Sequence, residues 1–345
     1  MTDSLNFVAA VEGLPEQLAA AHDAAAGADF GGLPAAADIR NIAVLGMGGS
    51  GISGDVFTAA FEGELPVPVT TVRGYDAPAF VGEGTLAFAM SYSGSTEETL
   101  SAARQAVARG ATLVAVSTGG AIAEIARDSG GVHLPCPTGY MPRAALGTLI
   151  APLVVTAFKL GLAPSGHAQL VAAQQQLARR RDAVAPSVVG PKNEARELAR
   201  KIDRTIPIVY GGDALGRVAA LRWKLELNEN AKAPAYSNAY PELDHNEICA
   251  WGQHGDVTRQ IFTLVELRHG YEHAQTARRF DITRDIIAEA LHQVLAVEAQ
   301  GEGPLAQLLD LVYMAAWVSC YVAEQNDVDP GPIPSIDELK RALAN

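Results

Sequence analysis

Nothing in this sequence marks it for secretion, for a membrane or for a nucleic acid. Cysteine is scarce: Cys136, Cys249 and Cys320 stand far apart in 345 residues. They form no CxxC pair and no metal-ligand spacing, which argues against both a disulfide framework and a zinc site. They are expected to be buried, reduced thiols of a cytoplasmic protein. The first fourteen residues carry early acids and lack a basic-then-apolar leader pattern. Long apolar runs are missing as well. Leu146–Phe158 contains Pro152 and ends at Lys159, and Leu305–Val322 is interrupted by Asp310. Neither reaches the ~20 apolar residues of a bilayer span, so both are expected to be buried helices. Positive charge is in deficit, with 26 Lys and Arg against 39 Asp and Glu, a formal net charge of −13. Such a field disfavours nucleic acid and anionic membranes as partners. An anionic ligand would have to be held by a local device.

What is present is a rhythm. Residues 1–37 are alanine-rich with helical spacing and a break near Gly27–Gly32. Short β-rich runs then recur at Ile42–Leu45, Val67–Val72, Leu86–Met90, Thr112–Val116 and Val132–Leu134. Helical stretches such as Glu97–Ala108 and Ala121–Arg127 lie between several of them. Strands alternating with helices imply a parallel, doubly wound sheet. After a Gln- and Arg-bearing helix and a proline-containing linker over 166–190, the rhythm restarts. Ile206-Pro-Ile-Val-Tyr-Gly-Gly-Asp-Ala-Leu-Gly216 echoes Ile42-Ala-Val-Leu-Gly-Met-Gly-Gly-Ser-Gly51, each an apolar strand, a glycine turn and a helix. Further strands are expected at Ile261–Leu267 and Gln293–Glu298. The expected fold is α/β, with two doubly wound, flavodoxin-like domains related by internal duplication. Residues 1–37 would be a helical segment, 38–165 the first domain, 191–325 the second and 326–345 a tail helix.

Two segments of the first half carry chemistry. Gly46-Met-Gly-Gly-Ser-Gly51 fits G-x-G-x-x-G between a strand and a helix, a turn that lets backbone N–H groups approach an anion. The same pattern serves dinucleotides, but those want an acid at the end of the next strand to hold ribose hydroxyls. Here that strand ends in Arg73-Gly74, with Asp76 beyond it, so a nicotinamide-dependent dehydrogenase is poorly supported. The second segment, Leu86-Ala-Phe-Ala-Met-Ser-Tyr-Ser-Gly-Ser-Thr-Glu-Glu-Thr-Leu100, runs from a strand through a turn dense in hydroxyls into a helix. A helix cap needs one Ser or Thr; this turn offers Ser91, Ser93, Ser95 and Thr96, enough for several donors to converge on a phosphate.

Together the two segments resemble the sugar isomerase (SIS) domain family, whose members bind phosphosugars. The resemblance implies Gly49, Ser50, Ser91, Ser93 and Thr96 as phosphate ligands. The second half has no matching Ser/Thr cluster, so one such site is expected per chain. Met141-Pro-Arg-Ala-Ala-Leu146, Glu226-Leu-Asn-Glu-Asn-Ala-Lys232, Pro241-Glu-Leu-Asp-His-Asn-Glu247 and Pro334-Ser-Ile-Asp-Glu-Leu-Lys340 extend the match. With them the chain resembles, over about residues 40–340, the bifunctional phosphoglucose/phosphomannose isomerases built from two SIS domains. That resemblance implies an aldose–ketose isomerase of hexose 6-phosphates using neither metal nor organic cofactor. Glu229 would be the base that shuttles a proton between C2 and C1 through a cis-enediol. His245 would open the sugar ring, Lys340 would assist at the ring oxygen, and Arg143 would stabilise the enediolate. It also implies a homodimer in which His245 serves the partner's site.

The sequence departs from the family at two points. Asp244 stands before His245 where Asn is common, and a neighbouring carboxylate would alter imidazole basicity. Ile333 stands where a hydroxyl near C1 and C2 would be sought, which bears on whether both the glucose and mannose epimers are accepted. Taken without the motif, Lys340 could be a plain helix lysine behind a capping box, Ser335-x-x-Glu338. Other readings are a phosphosugar-binding regulator without catalysis, or an isomerase of an amino sugar. The first would lack Glu229 or His245, and the second would need a segment to handle ammonia.

Overall fold

Aliphatic runs too short for stable helices become parallel strands, and the structure, a computed structural model, describes residues 2–343. The chain divides into two units. The first, Gly13–Ala178 with Gly301–Gln307, holds β1 (Asn41–Leu45), β2 (Val69–Val72), β3 (Thr85–Met90), β4 (Thr112–Ser117) and β5 (Val132–Pro135). These pair in the order β2-β1-β3-β4-β5, parallel throughout. Parallel strands need helical crossovers, which cover both faces of the sheet. Every residue of β3 is therefore buried, without an alternating pattern. On one face Ala102, Ala103, Ala106, Ile122 and Ala126 pack against Ala43, Leu45, Ala87, Ala89 and Leu113. The helix Leu146–Lys159 is buried from Leu146 to Ala157, as its composition implied.

The second unit comprises residues up to Glu12, Arg179–Gln300 and Leu308 onward. Its strands are β6 (Ile206–Gly212), β7 (Tyr236–Tyr240), β8 (Phe262–Arg268) and β9 (Gln293–Glu298), parallel in the order β7-β6-β8-β9. That is the permutation of the first four strands of the other sheet. Strand β7 was not anticipated. It is an edge strand of sequence Tyr-Ser-Asn-Ala-Tyr, and Tyr236 is exposed, so it lacks the apolar run of a central strand.

The buried helix expected over Leu305–Val322 is present and longer than that run: Pro304–Gln325 is continuous over 22 residues and apolar enough to cross a bilayer by length and composition. It is a core helix all the same, with 94% of its most apolar window buried. Asp310, fully buried, is met by Arg180 through Nε at 2.8 Å and Nη2 at 2.6 Å, and by the Gln300 N–H at 2.8 Å. One expectation needs correction: the cysteines are not uniformly buried. Cys136 and Cys320 are, but Cys249 is exposed on the short turn Glu247–Trp251. Burial pushes the Cys136 thiol up to about 11, which keeps it protonated and unreactive.

A buried pair is strongly destabilising to break because the remaining charge is left unmatched. Arg180→Ala should therefore lower the unfolding free energy by roughly 3–5 kcal/mol. Chemical denaturation measures this; a loss below about 1 kcal/mol would show that the pair is dispensable.

Candidate active site

In a sheet of order 2-1-3-4-5 the connections leave β1 and β3 in opposite directions. The loops after these two strands therefore flank a crevice at the carboxyl edge, where such folds take ligands. Both hydroxyl-bearing segments lie there. After β1 the chain turns at Gly48 (φ +49°) straight into the helix Gly48–Phe61. After β3 it passes Ser91–Thr96 and enters Glu97–Ala108.

Hydrogen bonds knit the two loops into one cradle. The Tyr92 N–H donates to Ser50 Oγ at 3.4 Å, joining one loop to the other. Ser91 Oγ and Thr96 Oγ1 lie 2.9 Å apart, and the Thr96 N–H donates to Ser91 Oγ at 3.4 Å. Ser95 donates to Ser93 Oγ through its hydroxyl at 3.2 Å and its N–H at 3.4 Å. Neither helix receives a side-chain cap, although Thr96 occupies the N-cap position of the second. The hydroxyls thus face one another, and two helix N-termini are left to favour an anion. Gly94 (φ +72°) closes the turn against the loop after β4: a Cβ there would sit 1.9 Å from the Gly119 carbonyl oxygen. Of the expected phosphate ligands, Gly49 and Ser50 lie in the first turn of the helix Gly48–Phe61, and Ser91, Ser93 and Thr96 on the loop after β3.

Arg143 is brought to the same place. A Cβ on Gly49 would lie 3.3 Å from the Pro142 oxygen and 3.4 Å from Arg143 Cα, so the glycine turn rests on the buried arginine's backbone. Tyr92 secures that segment, a part that sequence reasoning missed. Its hydroxyl donates to the Pro137 carbonyl at 2.8 Å and accepts the Tyr140 N–H at 2.9 Å. Burial raises the pKa of Tyr92, so it remains a donor at neutral pH.

In the second unit the corresponding turn carries an acid instead of a hydroxyl cluster. Asp213 (φ +52°), just after β6, accepts the His273 N–H at 2.7 Å and the Thr276 hydroxyl at 2.8 Å. A carboxylate, already bonded within the unit, stands at the turn that matches the glycine turn of the other sheet.

Glu229 ends the helix Asp213–Glu229 and is half-buried. The residues around it are structural anchors. Asn230 donates to Glu226 and, at 2.9 Å, to Ser319, while Glu226 pairs with Arg222 in the core. The Lys232 ammonium donates to the carbonyls of Asn230 (3.3 Å), Asp329 (2.8 Å) and Pro330 (3.3 Å). The segment leading to the helix Pro334–Leu343 is thereby tied beside the end of the Glu229 helix. Lys340 is exposed on that last helix. Ser335 is no capping residue: Pro334 takes the first helical position, and the Ile333 carbonyl accepts the N–H groups of Ile336 and Asp337.

Glu229 and His245 do not come together within the unit. A helix joining parallel strands runs back to the sheet's amino edge, so Glu229 lies near the start of β7. His245 lies on the turn Glu242–His245, beyond the far end of β7, and is exposed. A strand of five residues, roughly 13 Å, separates the two edges.

Residues 37–142 match the family described as "SIS domain", and residues 191–343 the family described as "Bacterial phospho-glucose isomerase C-terminal SIS domain". A bifunctional phosphoglucose/phosphomannose isomerase of Caldicellulosiruptor bescii is 37% identical over 334 residues, covering 97% of this chain and 98% of that protein. The chain belongs to the bifunctional phosphoglucose/phosphomannose isomerase family. A family member from Aquifex aeolicus is 32% identical over 88% of this chain and 90% of its own length. Among solved structures, the C-terminal domain of glucosamine-fructose-6-phosphate aminotransferase from Francisella tularensis superposes with a TM-score of 0.71 at 15% identity. The superposition covers 95% of this chain and 98% of that one. At that identity the likeness concerns the fold alone.

For this member of the isomerase family, the cradle makes two predictions. Thr96→Val removes one hydroxyl of the Ser91–Thr96 pair and should weaken phosphosugar binding about tenfold, the worth of one hydrogen bond to a charged group. Gly94→Ala forces the turn off the Gly119 carbonyl and should weaken binding further. Titration calorimetry with fructose 6-phosphate checks both; unchanged affinity with reduced turnover would show the cradle to be misplaced.

Proposed function

We propose that the chain is an aldose–ketose isomerase that interconverts glucose 6-phosphate and mannose 6-phosphate with fructose 6-phosphate. The observation that carries this is the 37% identity, over nearly the whole of both chains, to a bifunctional phosphoglucose/phosphomannose isomerase. In this reading Gly49, Ser50, Ser91, Ser93 and Thr96 hold the phosphate with neutral donors. His245 and Lys340 open the ring by moving a proton between the ring oxygen and the C1 hydroxyl. Glu229 then takes the proton from C2 of the open aldose and returns it to C1 through the cis-enediol. Arg143 offers a fixed positive charge to the developing enediolate. A carboxylate can serve both directions because it is regenerated in each cycle.

The reading includes a cytoplasmic homodimer in which His245 is supplied by the partner chain. It is supported by the placement of Glu229 and His245 at opposite edges of one sheet: within a chain they could not act on adjacent atoms of one sugar. Ile333, half-buried ahead of the last helix, offers no hydroxyl to the sugar, and the ratio of the two aldose products measures its effect.

A coupled assay started with fructose 6-phosphate and scored for both aldoses tests the activity; neither product at enzyme-limited rates would leave a binding protein only. Glu229→Gln should lower kcat at least ~10²-fold, the lower range of general-base contributions, with phosphosugar affinity retained. Normal turnover in that variant removes the base assignment. Mixing inactive Glu229→Gln and His245→Gln chains under exchange should restore about a quarter of wild-type activity, since half the dimers are mixed and each has one intact site. No recovery would place both groups in one chain's site.

A further inference from the structure

The turn that carries His245 has little stability of its own. A single 3₁₀ turn is short and weakly bonded, so it must be held from outside. Leu243, fully buried, gives it one apolar anchor. Two carboxylates flank the imidazole in sequence, and both are engaged elsewhere. Asp244 accepts from Arg279 Nη1 at 2.8 Å with one oxygen and from the Thr283 hydroxyl at 2.7 Å with the other. Its side chain is only 8% exposed. Glu247 accepts from the Tyr210 hydroxyl and, at 2.6 Å, from the Asn238 amide. Asn246 between them donates to Glu242 at 3.0 Å. Every polar neighbour of His245 on the turn is thus pinned, and His245 itself projects outward.

Asp244 is thus engaged away from its sequence neighbour. Its charge is matched by a guanidinium on the helix Ala274–Ile287, and both of its oxygens point at that helix. We propose that Asp244 and Arg279 are a positioning pair for His245, fixing where the imidazole is presented. The inference rests on the proposed role of His245. The pair is matched in this chain, because the Arg279 guanidinium calls for a carboxylate at position 244.

The test compares Arg279→Gln, Asp244→Asn and the double variant in the full-length enzyme. Steady-state kinetics with fructose 6-phosphate across about pH 6 to 9 is joined to amide hydrogen exchange over 242–251. Arg279→Gln should lower kcat about tenfold, within the ~10²-fold that an ångström of misplacement can cost, with KM changed less than about twofold. Exchange should quicken in 242–251 alone. The double variant, whose neutral amides can bond each other, should recover most of kcat. The acidic limb of kcat/KM should stay where it is in all three.

An acidic limb displaced by about one pH unit in Asp244→Asn would mean that charge is the mechanism and would overturn the proposal. Unchanged kcat and exchange in Arg279→Gln would overturn it too, as would faster exchange throughout the second unit with kcat and KM changing together. Should His245→Gln retain full turnover, the catalytic reading of His245 falls. The exchange data still decide whether the pair holds the turn.

Discussion

Parallel pairing is the constraint from which the site descends. Strands that all point one way must be joined by helices running back, so every loop after a strand emerges at one edge of its sheet. Where the order reverses between β1 and β3, two such loops open side by side, and two helices begin there. The same rule, applied to β6, its helix and β7, sends Glu229 to the opposite edge from His245. One geometric rule both builds a cradle and divides the groups expected to do chemistry.

The cradle must work against the protein's own field. With a net charge of −13, a dianionic phosphate is not drawn in by long-range attraction. Its recognition must come from short-range donors: backbone N–H groups, hydroxyls and helix termini, which gain strength where water is excluded. Glu97 and Glu98 stand in the first turn of the second cradle helix, where the dipole stabilises carboxylates. Glu97 lies near enough to Tyr75 that its charge is the largest cause of the raised Tyr75 pKa. A negative group beside the proposed phosphate site disfavours loose electrostatic capture. It would favour ligands that fit the hydroxyl geometry.

Local patterns were the legible part of this fold. The central strands could be read because burial on both faces demands unbroken aliphatic runs, and the glycine and hydroxyl turns because their chemistry is contiguous. Strand β7 was invisible because an edge position tolerates Ser and Asn. The sequence also placed a capping box at Ser335, where the helix begins one residue earlier at Pro334. Tyr92 could be seen as part of the hydroxyl segment but not as the tether of Pro137 and Tyr140, 45 and 48 residues away. Arg279 and Thr283, 35 and 39 residues from Asp244, gave no sign of their role. Their absence from any motif led Asp244 to be read by proximity in sequence, as a neighbour of His245. Chain adjacency says that two residues are near; only the fold says which way each side chain is turned.

That distinction bears on how the proposed chemistry is confined. Proton transfer next to a carbonyl needs groups held to within fractions of an ångström, and it needs water kept from the enediol. In one chain Glu229 is half-buried, while His245 and Lys340 are exposed. Exposed groups on short elements are poorly placed for such work, which is why their anchoring matters. The Glu229 region is tied through Asn230 to Ser319 and through Lys232 to Asp329 and Pro330. The His245 turn is held through Asp244 and Glu247. The segments that carry the groups proposed to react are thus anchored within their own chain. If a partner chain completes the site, association supplies the missing exclusion of water without having to organise the groups as well. Anchoring of this kind meets part of the ordering cost in folding, so less of it would fall on association.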